Sequence, residues 1–102
     1  MTVNAETAGN SMTVGATVTR AGQVLWRRTL DGVAVLPPRG HVVCLDWAGS
    51  LVWELIARPS TVEDIVEATA RACSLDAVDV EGGTHSVLIA LRDSGAVTET
   101  LP

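Results

Sequence analysis

Three short stretches in the first half of the chain have the apolar-rich, alternating pattern that predicts β-strands. They are VLWRR at 24–28, VAVLP at 33–37 and HVVCL at 41–45. Asp31-Gly32 lies between the first two and is a strong hairpin signal, because glycine tolerates the positive φ that tight turns require. The Pro-Pro-Arg-Gly segment at 37–40 turns the chain again. The pattern therefore predicts an antiparallel meander in which HVVCL is an outer strand.

The second half of the chain changes to helical spacing. We expect Asp46 to cap a first helix that stops before Pro59. The segment Ser60 to Glu63 has the form of a capping box, in which a hydroxyl and a carboxylate each satisfy an exposed amide of the first turn. It predicts the start of a second helix.

A third helix is predicted over residues 76–95, with Gly95 just beyond its last turn. The Gly82-Gly83 pair weakens this helix, since each glycine costs about 1 kcal/mol relative to alanine in a helix interior. The helix is therefore expected to start after the glycines or to be kinked there. A short strand at 96–99 follows it.

Together these elements predict one α+β domain with a winged helix-turn-helix-like architecture, in which a three-stranded antiparallel meander is followed by three helices. Residues 1–19 have no helical or strand period, so they are predicted to be a flexible N-terminal tail. Residues 20–102 are predicted to form the folded domain.

Charge is unevenly distributed along the chain, whose net charge is −5. Residues 20–45 carry four arginines and Asp31, which gives +3, whereas residues 46–102 carry three arginines and ten acids, which gives −7. The third helix, which would be the recognition helix of a DNA-binding protein, carries four acids and Arg92, which gives −3. Because phosphate contacts supply most of the affinity for DNA, a nucleic acid partner is not expected.

Side chains suited to catalysis are few. His41 and Cys44 lie three apart on one strand and point to opposite faces, which excludes a nucleophile–base pair. Cys44 and Cys73 are interpreted as small buried apolar residues and His85 as a solvent-facing or capping residue. No phosphate-binding glycine loop or metal-ligand spacing is present. We therefore predict that the chain is not an enzyme and carries no cofactor and no metal.

Targeting signals are also missing from the sequence. No run of eighteen apolar residues occurs, and the N-terminal MTVNAETAGN lacks the basic and apolar parts of a signal peptide. We therefore expect a cytoplasmic protein without a membrane partner, in which both cysteines are free thiols.

The predicted third strand has none of the lysines, prolines or bulges that normally protect an edge strand. A second copy of the chain or the tail could cover its free amides and carbonyls. Alternatively, a guest peptide adds to the edge as a further strand, held by backbone hydrogen bonds and selected by side-chain pockets.

The run LVWELIARPSTVEDIVEATA at 51–70 resembles the helix–turn–helix stretch of the PqqD-like proteins, the recognition elements for ribosomally synthesised and post-translationally modified peptides (RiPPs). The resemblance covers about residues 22–99. Asp46-Trp47 stands where the family often has Asn-Pro, and the double glycine is unusual for it. The positions that fit are Leu45, the block at 51–55, Pro59, Thr61-Val62, Ile65 and Gly95.

The resemblance implies a non-catalytic chaperone in natural product biosynthesis. Such a protein binds the leader of a precursor peptide and presents it to a separate maturation enzyme, which could be a radical enzyme, a peptidase or a cyclase. The leader would add as an antiparallel strand beside the third strand, in the cleft shared with the third helix. The backbone rungs would come from His41, Val42, Val43, Cys44 and Leu45, and the pockets from Thr84, Val87, Leu88 and Leu91.

Other interpretations stay open at this point. Spacing alone explains the four helix residues equally well as core. A winged-helix DNA-binding regulator and a structural dimerisation domain are the alternative functions, and the chain is expected to be a monomer or a weak homodimer. The +3 charge of residues 20–45 predicts that the leader is acidic.

Overall fold

The computed structural model describes residues 12–39 and 41–102. Residues 1–11 of the predicted tail and Gly40 of the predicted turn lie outside the described residues. The elements, in chain order, are β1 (Thr17–Arg20), β2 (Leu25–Arg28), β3 (Val33–Leu36), β4 (Val43–Leu45), α1 (Trp47–Leu55), β5 (Ser60–Thr61), α2 (Val62–Cys73), α3 (Ala77–Asp93) and β6 (Val97–Thr100). The predicted α+β architecture is confirmed, because an antiparallel meander of β2, β3 and β4 is followed by the three helices.

The turn between β2 and β3 is a tight one, as predicted. The amide of Thr29 donates to the carbonyl of Gly32 at 2.9 Å, and the amide of Gly32 donates to Oγ1 of Thr29 at 3.1 Å. The reason for glycine differs from the predicted one. Its φ is not positive, but a Cβ at residue 32 would overlap the carbonyl oxygen of Leu45. Gly32 therefore lets the hairpin approach the end of β4.

The first two helices begin at side-chain caps. Oδ1 of Asp46 accepts a hydrogen bond from the amide of Gly49 at 2.8 Å, as predicted. The cap of α2 lies one residue later than predicted, at Thr61, whose Oγ1 accepts from the amide of Asp64 at 3.1 Å. The hydroxyl of Ser60 is directed away from α2, because it donates to the carbonyls of Leu55 and Arg58 at 3.3 and 3.1 Å.

The third helix is continuous through its double glycine. The prediction that Gly95 follows its last turn is confirmed by a φ of +82°. The amides of Gly95 and Ala96 donate to the carbonyls of Arg92 and Leu91 at 3.0 and 2.8 Å, which is the Schellman pattern. The chain then reverses into β6, so α3 is held at its C-terminal end.

The predicted tail is wrong for residues 12–19. Met12, Ala16 and Val18 are buried, and β1 is the central strand of a second antiparallel sheet with the order β5-β1-β6. Thr17 pairs with both Thr61 and Thr100. The alternation of Ala16 and Val18 with Thr17 and Thr19 was the signal for this strand, but it is short because β1 has only four residues. The partners of β1 lie far along the chain, so its place between β5 and β6 could not be read from this segment.

Arg20, at the end of β1, joins the two sheets. Its Nε and Nη2 donate to the carbonyl oxygen of Trp53 at 2.9 and 2.6 Å. The guanidinium lies 4.5 Å from the ring centre of Trp53 and 4.8 Å from that of Trp26. Burial lowers the pKa of Arg20, with Glu54 opposing the shift and Arg28 adding to it. The second sheet is thereby fixed to the meander and to α1.

Candidate functional site

The strand β4 is an edge of the meander, because among the described strands only β3 pairs with it. This confirms the prediction that HVVCL provides an outer strand. The strand itself is shorter than predicted, since His41 and Val42 precede it. Its free side is the first component of the candidate site.

The register identifies which backbone groups point outward from β4. Thr29 and Gly32 form a hydrogen-bonded pair, so the pairs along β2 and β3 alternate from there, and Ala34 bonds to β2. The neighbours of Ala34 on β3 therefore bond to Val43 and Leu45 of β4. It follows that the amide and carbonyl of Cys44 point away from β3, and the same alternation continues to Val42.

The side chains of the meander also alternate between two faces. On the core face lie Val33, Val35, Val43 and Leu45, which are buried or half-buried. We call the opposite side the outer face; it comprises Leu25, Arg27, Ala34, Leu36, Val42 and Cys44. Cys44 is exposed there, so its interpretation as a buried apolar residue was wrong. Its position on the side away from the core is the reason.

A groove of about 300 Å³ lies next to the end of β4, between the start of α1 and the facing parts of α2 and α3. Its lining is mostly apolar. Val43, on the core face of β4, and Val80 and Val87, on α3, are each half-buried at the margin of the core. The residues lining the groove are Asp46, Ala48, Gly49, Val52, Thr69, Cys73, Leu75, Asp79, Val80, Gly83, Thr84 and Val87.

The four predicted pocket residues of α3 divide into two pairs. Thr84 and Val87 line the groove. Leu88 and Leu91 do not, because both are 0% exposed and belong to the hydrophobic core. All four lie on one side of the helix, which faces the core along its centre and the groove along its margin. Helical spacing alone does not separate the two.

Several groove residues are not among the predicted site residues. Gly83 is the most informative, because it lines the groove and a Cβ added there would have no atom within 4 Å. The absence of that side chain keeps the groove open. The double glycine was the signal for it, although it was interpreted only as a weakness of the helix.

The arginines of residues 20–45 are dispersed by the fold. Arg20 is stacked on Trp53, Arg28 lies 3.3 Å from Glu54, and Arg39 donates to the carbonyl of Asp93. Arg27 remains on the outer face. The groove itself has Asp46 and Asp79 at its rim. Among the described residues, the basic surface on which the predicted acidic leader depended is therefore not formed beside β4, because Arg27 lies on β2, at the opposite side of the meander.

In the described part of the chain, no group of three or more His, Cys, Asp or Glu side chains is placed to hold a metal ion. Within the same residues, no helix is long and apolar enough to cross a bilayer.

Comparison with known proteins adds two findings. Residues 31–97 match the family described as coenzyme PQQ synthesis protein D (PqqD). The fold matches the solution NMR structure of the PqqD truncation of Methylobacterium extorquens PqqCD with a TM-score of 0.71 and 16% identity, covering 88% of this chain and 97% of that one. That protein is described as a functional and stand-alone RiPP recognition element. A search of curated proteins found no significant match.

Proposed function

The chain belongs to the PqqD family, and we propose that it is a RiPP recognition element: a non-catalytic protein that captures the leader of a precursor peptide. The leader adds as an antiparallel strand to the free side of β4. The bound precursor is then presented to a separate maturation enzyme, which could be a radical enzyme, a peptidase or a cyclase. A cytoplasmic location suits such a protein, because the precursor is made on ribosomes.

The observation that carries this proposal is a bare strand edge beside an apolar groove. The outward amides and carbonyls of Val42 and Cys44 offer rungs to a guest strand, and the groove begins at Asp46, one residue beyond β4. Strand addition of this kind takes affinity from the backbone and specificity from the pockets beside it.

The energetics require both parts of the site. Ordering each guest residue costs about 1–2 kcal/mol, whereas each new hydrogen bond returns only about 0.5–1.5 kcal/mol. Each buried apolar side chain contributes a further 1.5–3 kcal/mol, approximately. A leader therefore needs two or three apolar anchors in addition to its backbone bonds.

The register tells where these anchors lie in the leader. Guest residues opposite Val43 and Leu45 have their side chains on the core face of the meander, which is the side where α1 packs and where the groove lies next to the start of α1. Those opposite Val42 and Cys44 have theirs on the outer face. Groove anchors are therefore spaced by two residues along the leader.

Replacing Cys44 by proline tests the docking edge. Cys44→Pro removes one outward amide and leaves the bonds between β3 and β4, because those come from Val43 and Leu45. The matched control, Cys44→Val, keeps the amide. Titration calorimetry with a leader encoded beside the gene should give binding roughly twofold to tenfold weaker for the proline variant alone. Circular dichroism of both variants reports whether the fold is retained.

A second measurement uses the unmodified protein. In an antiparallel ladder only every second guest amide bonds to β4. N-methylation scanned along the leader should therefore weaken binding at alternate positions. Equal affinity for all N-methylated peptides, or for the Cys44→Pro and Cys44→Val variants, would falsify strand addition.

A further inference from the structure

The outer face of the meander is unusually apolar for a sheet surface in contact with solvent. Leu25, Leu36 and Val42 are 67%, 49% and 53% exposed. The solvent side of an antiparallel sheet normally carries polar residues at these positions. Scattered apolar side chains need no explanation, but here the three are neighbours across adjacent strands.

Two rows of side chains cross this face. Leu25 pairs with Leu36, and the register of β3 and β4 continues that row to Val42. The next row runs from Arg27 through Ala34 to Cys44. Because the side chains of Ala34 and Cys44 are small, their row is low, and the row of larger apolar side chains forms a ridge beside it.

A hollow of about 340 Å³ lies over Ala34 as a result. Leu25, Leu36 and Val42 form the wall on one side, and Arg27 closes the far end. Arg27 has no ion pair within the described part of the chain. Its guanidinium is thus available to a guest group, above all the face of an aromatic ring.

We propose that the leader is bound through both of its faces, and that a large apolar or aromatic leader side chain opposite Cys44 occupies the hollow over Ala34. This inference rests on the proposed function. A guest residue opposite Cys44 lies on the outer face, and its side chain crosses the small cysteine to reach the hollow. The leader segment recognised here therefore has consecutive apolar residues, alternately directed to the groove and to the outer face.

The leader is the occupant that fits this surface because the hollow is continuous with the docking edge. Val42 forms both a wall of the hollow and part of the edge whose backbone points outward. A strand added to β4 extends the sheet by one more strand at a spacing of about 4.8 Å, so its outward side chains lie directly beside Val42 and Cys44.

The test uses random peptides displayed on phage and selected on the full chain and on an Ala34→Ile variant. Isoleucine suits a strand and fills the hollow without changing the edge or the groove. The matched control is Thr98→Ile, at an exposed position of β6 in the other sheet. Circular dichroism confirms that each variant is folded.

On the unmodified chain we expect selected peptides with two groove anchors spaced by two residues and a large apolar residue between them. Peptides selected on the Ala34→Ile variant should keep the two groove anchors but show no preference for a large apolar residue between them. For a synthetic peptide of the selected sequence, Ala34→Ile should weaken Kd by roughly tenfold to a hundredfold, while Thr98→Ile leaves it unchanged. Changing the peptide's intermediate residue to alanine should weaken binding equally on the unmodified chain, and have no further effect on Ala34→Ile.

Selected peptides that have groove anchors but no preference at the intermediate position would overturn this inference and leave the proposed function intact. Failure to select any peptide would overturn both. If instead Ala34→Ile abolishes self-association in sedimentation and leaves peptide binding unchanged, the hollow is occupied by a second copy of the chain, and the inference is wrong.

Discussion

In the described part of the chain, the two sheets have the same number of strands and the same antiparallel pairing, but their edges differ in chemistry. The exposed side chains of the edge strand β6 are Thr98 and Thr100. At the edge formed by β4 the exposed side chains are Cys44, in the strand, and Val42, just before it. The strand β5, at the other edge of the second sheet, has only two residues and leads directly into α2. Within residues 12–39 and 41–102, the apolar edge that has a groove beside it belongs to the meander.

The difference indicates that the two sheets have different structural roles. The second sheet is tied to the rest of the chain: Glu99 accepts from the amide of Thr13 at 2.6 Å and lies 3.9 Å from Arg92, and Ala96 and Val97 are buried. Those contacts fix the C-terminal end of α3. The meander keeps a free edge. The second sheet therefore holds the end of the helix that lines the groove, and the meander has the free strand edge to which we propose that the leader adds.

The largest effect is expected from breaking the connection between the sheets. Arg20→Ala removes the stacked guanidinium and leaves the carbonyl of Trp53 without its two donors, so we expect the free energy of unfolding to fall by about 3 kcal/mol. Thermal and urea unfolding monitored by circular dichroism measure it. Arg20→Lys keeps the charge but not the planar fork, and should lose about half as much.

Independent sheets would behave differently. If Arg20→Ala produced two separate unfolding transitions, the second sheet would be a unit of its own. A single transition shifted to lower temperature is the expected result, because β1, α1 and the meander share one core.

An intermediate effect is expected at the double glycine. Gly83 lines the groove and Gly82 does not, and a Cβ at either position meets nothing within 4 Å. Gly83→Leu should weaken leader binding by about 2 kcal/mol because it fills the groove, whereas Gly82→Leu should leave binding unchanged. Both should stabilise α3 by about 0.8 kcal/mol. Equal affinities for the two variants in titration calorimetry would place the guest's anchors elsewhere.

The smallest effect is expected at Thr69, whose buried Oγ1 has no hydrogen-bond partner among the described residues. Thr69→Val removes this hydroxyl at almost constant volume and should raise the free energy of unfolding by about 1 kcal/mol. Thr69→Ser keeps the hydroxyl, loses a methyl group and should be destabilising. A loss of stability in Thr69→Val, measured by urea unfolding, would mean that the hydroxyl is paired in solution.

Local sequence patterns were sufficient to predict a turn or a helix end wherever the interaction that forms it spans only a few residues. The hairpin at Asp31-Gly32, the cap at Asp46 and the helix end at Gly95 were all predicted correctly, since each depends on the conformation or hydrogen bonding of one turn. The alternation along the three meander strands was also sufficient to identify HVVCL as an edge, because consecutive strands joined by tight turns pair in order.

Contacts between distant parts of the chain determine the second sheet and decide which residues line the groove. β1 is held between β5 and β6, and its own four residues do not indicate that it has these two partners. Leu88 and Val87 are adjacent and equally apolar, yet one is core and the other lines the groove. A chain's periodicity determines which side of an element is apolar, whereas the packing of neighbouring elements determines how much of that side stays accessible to a guest.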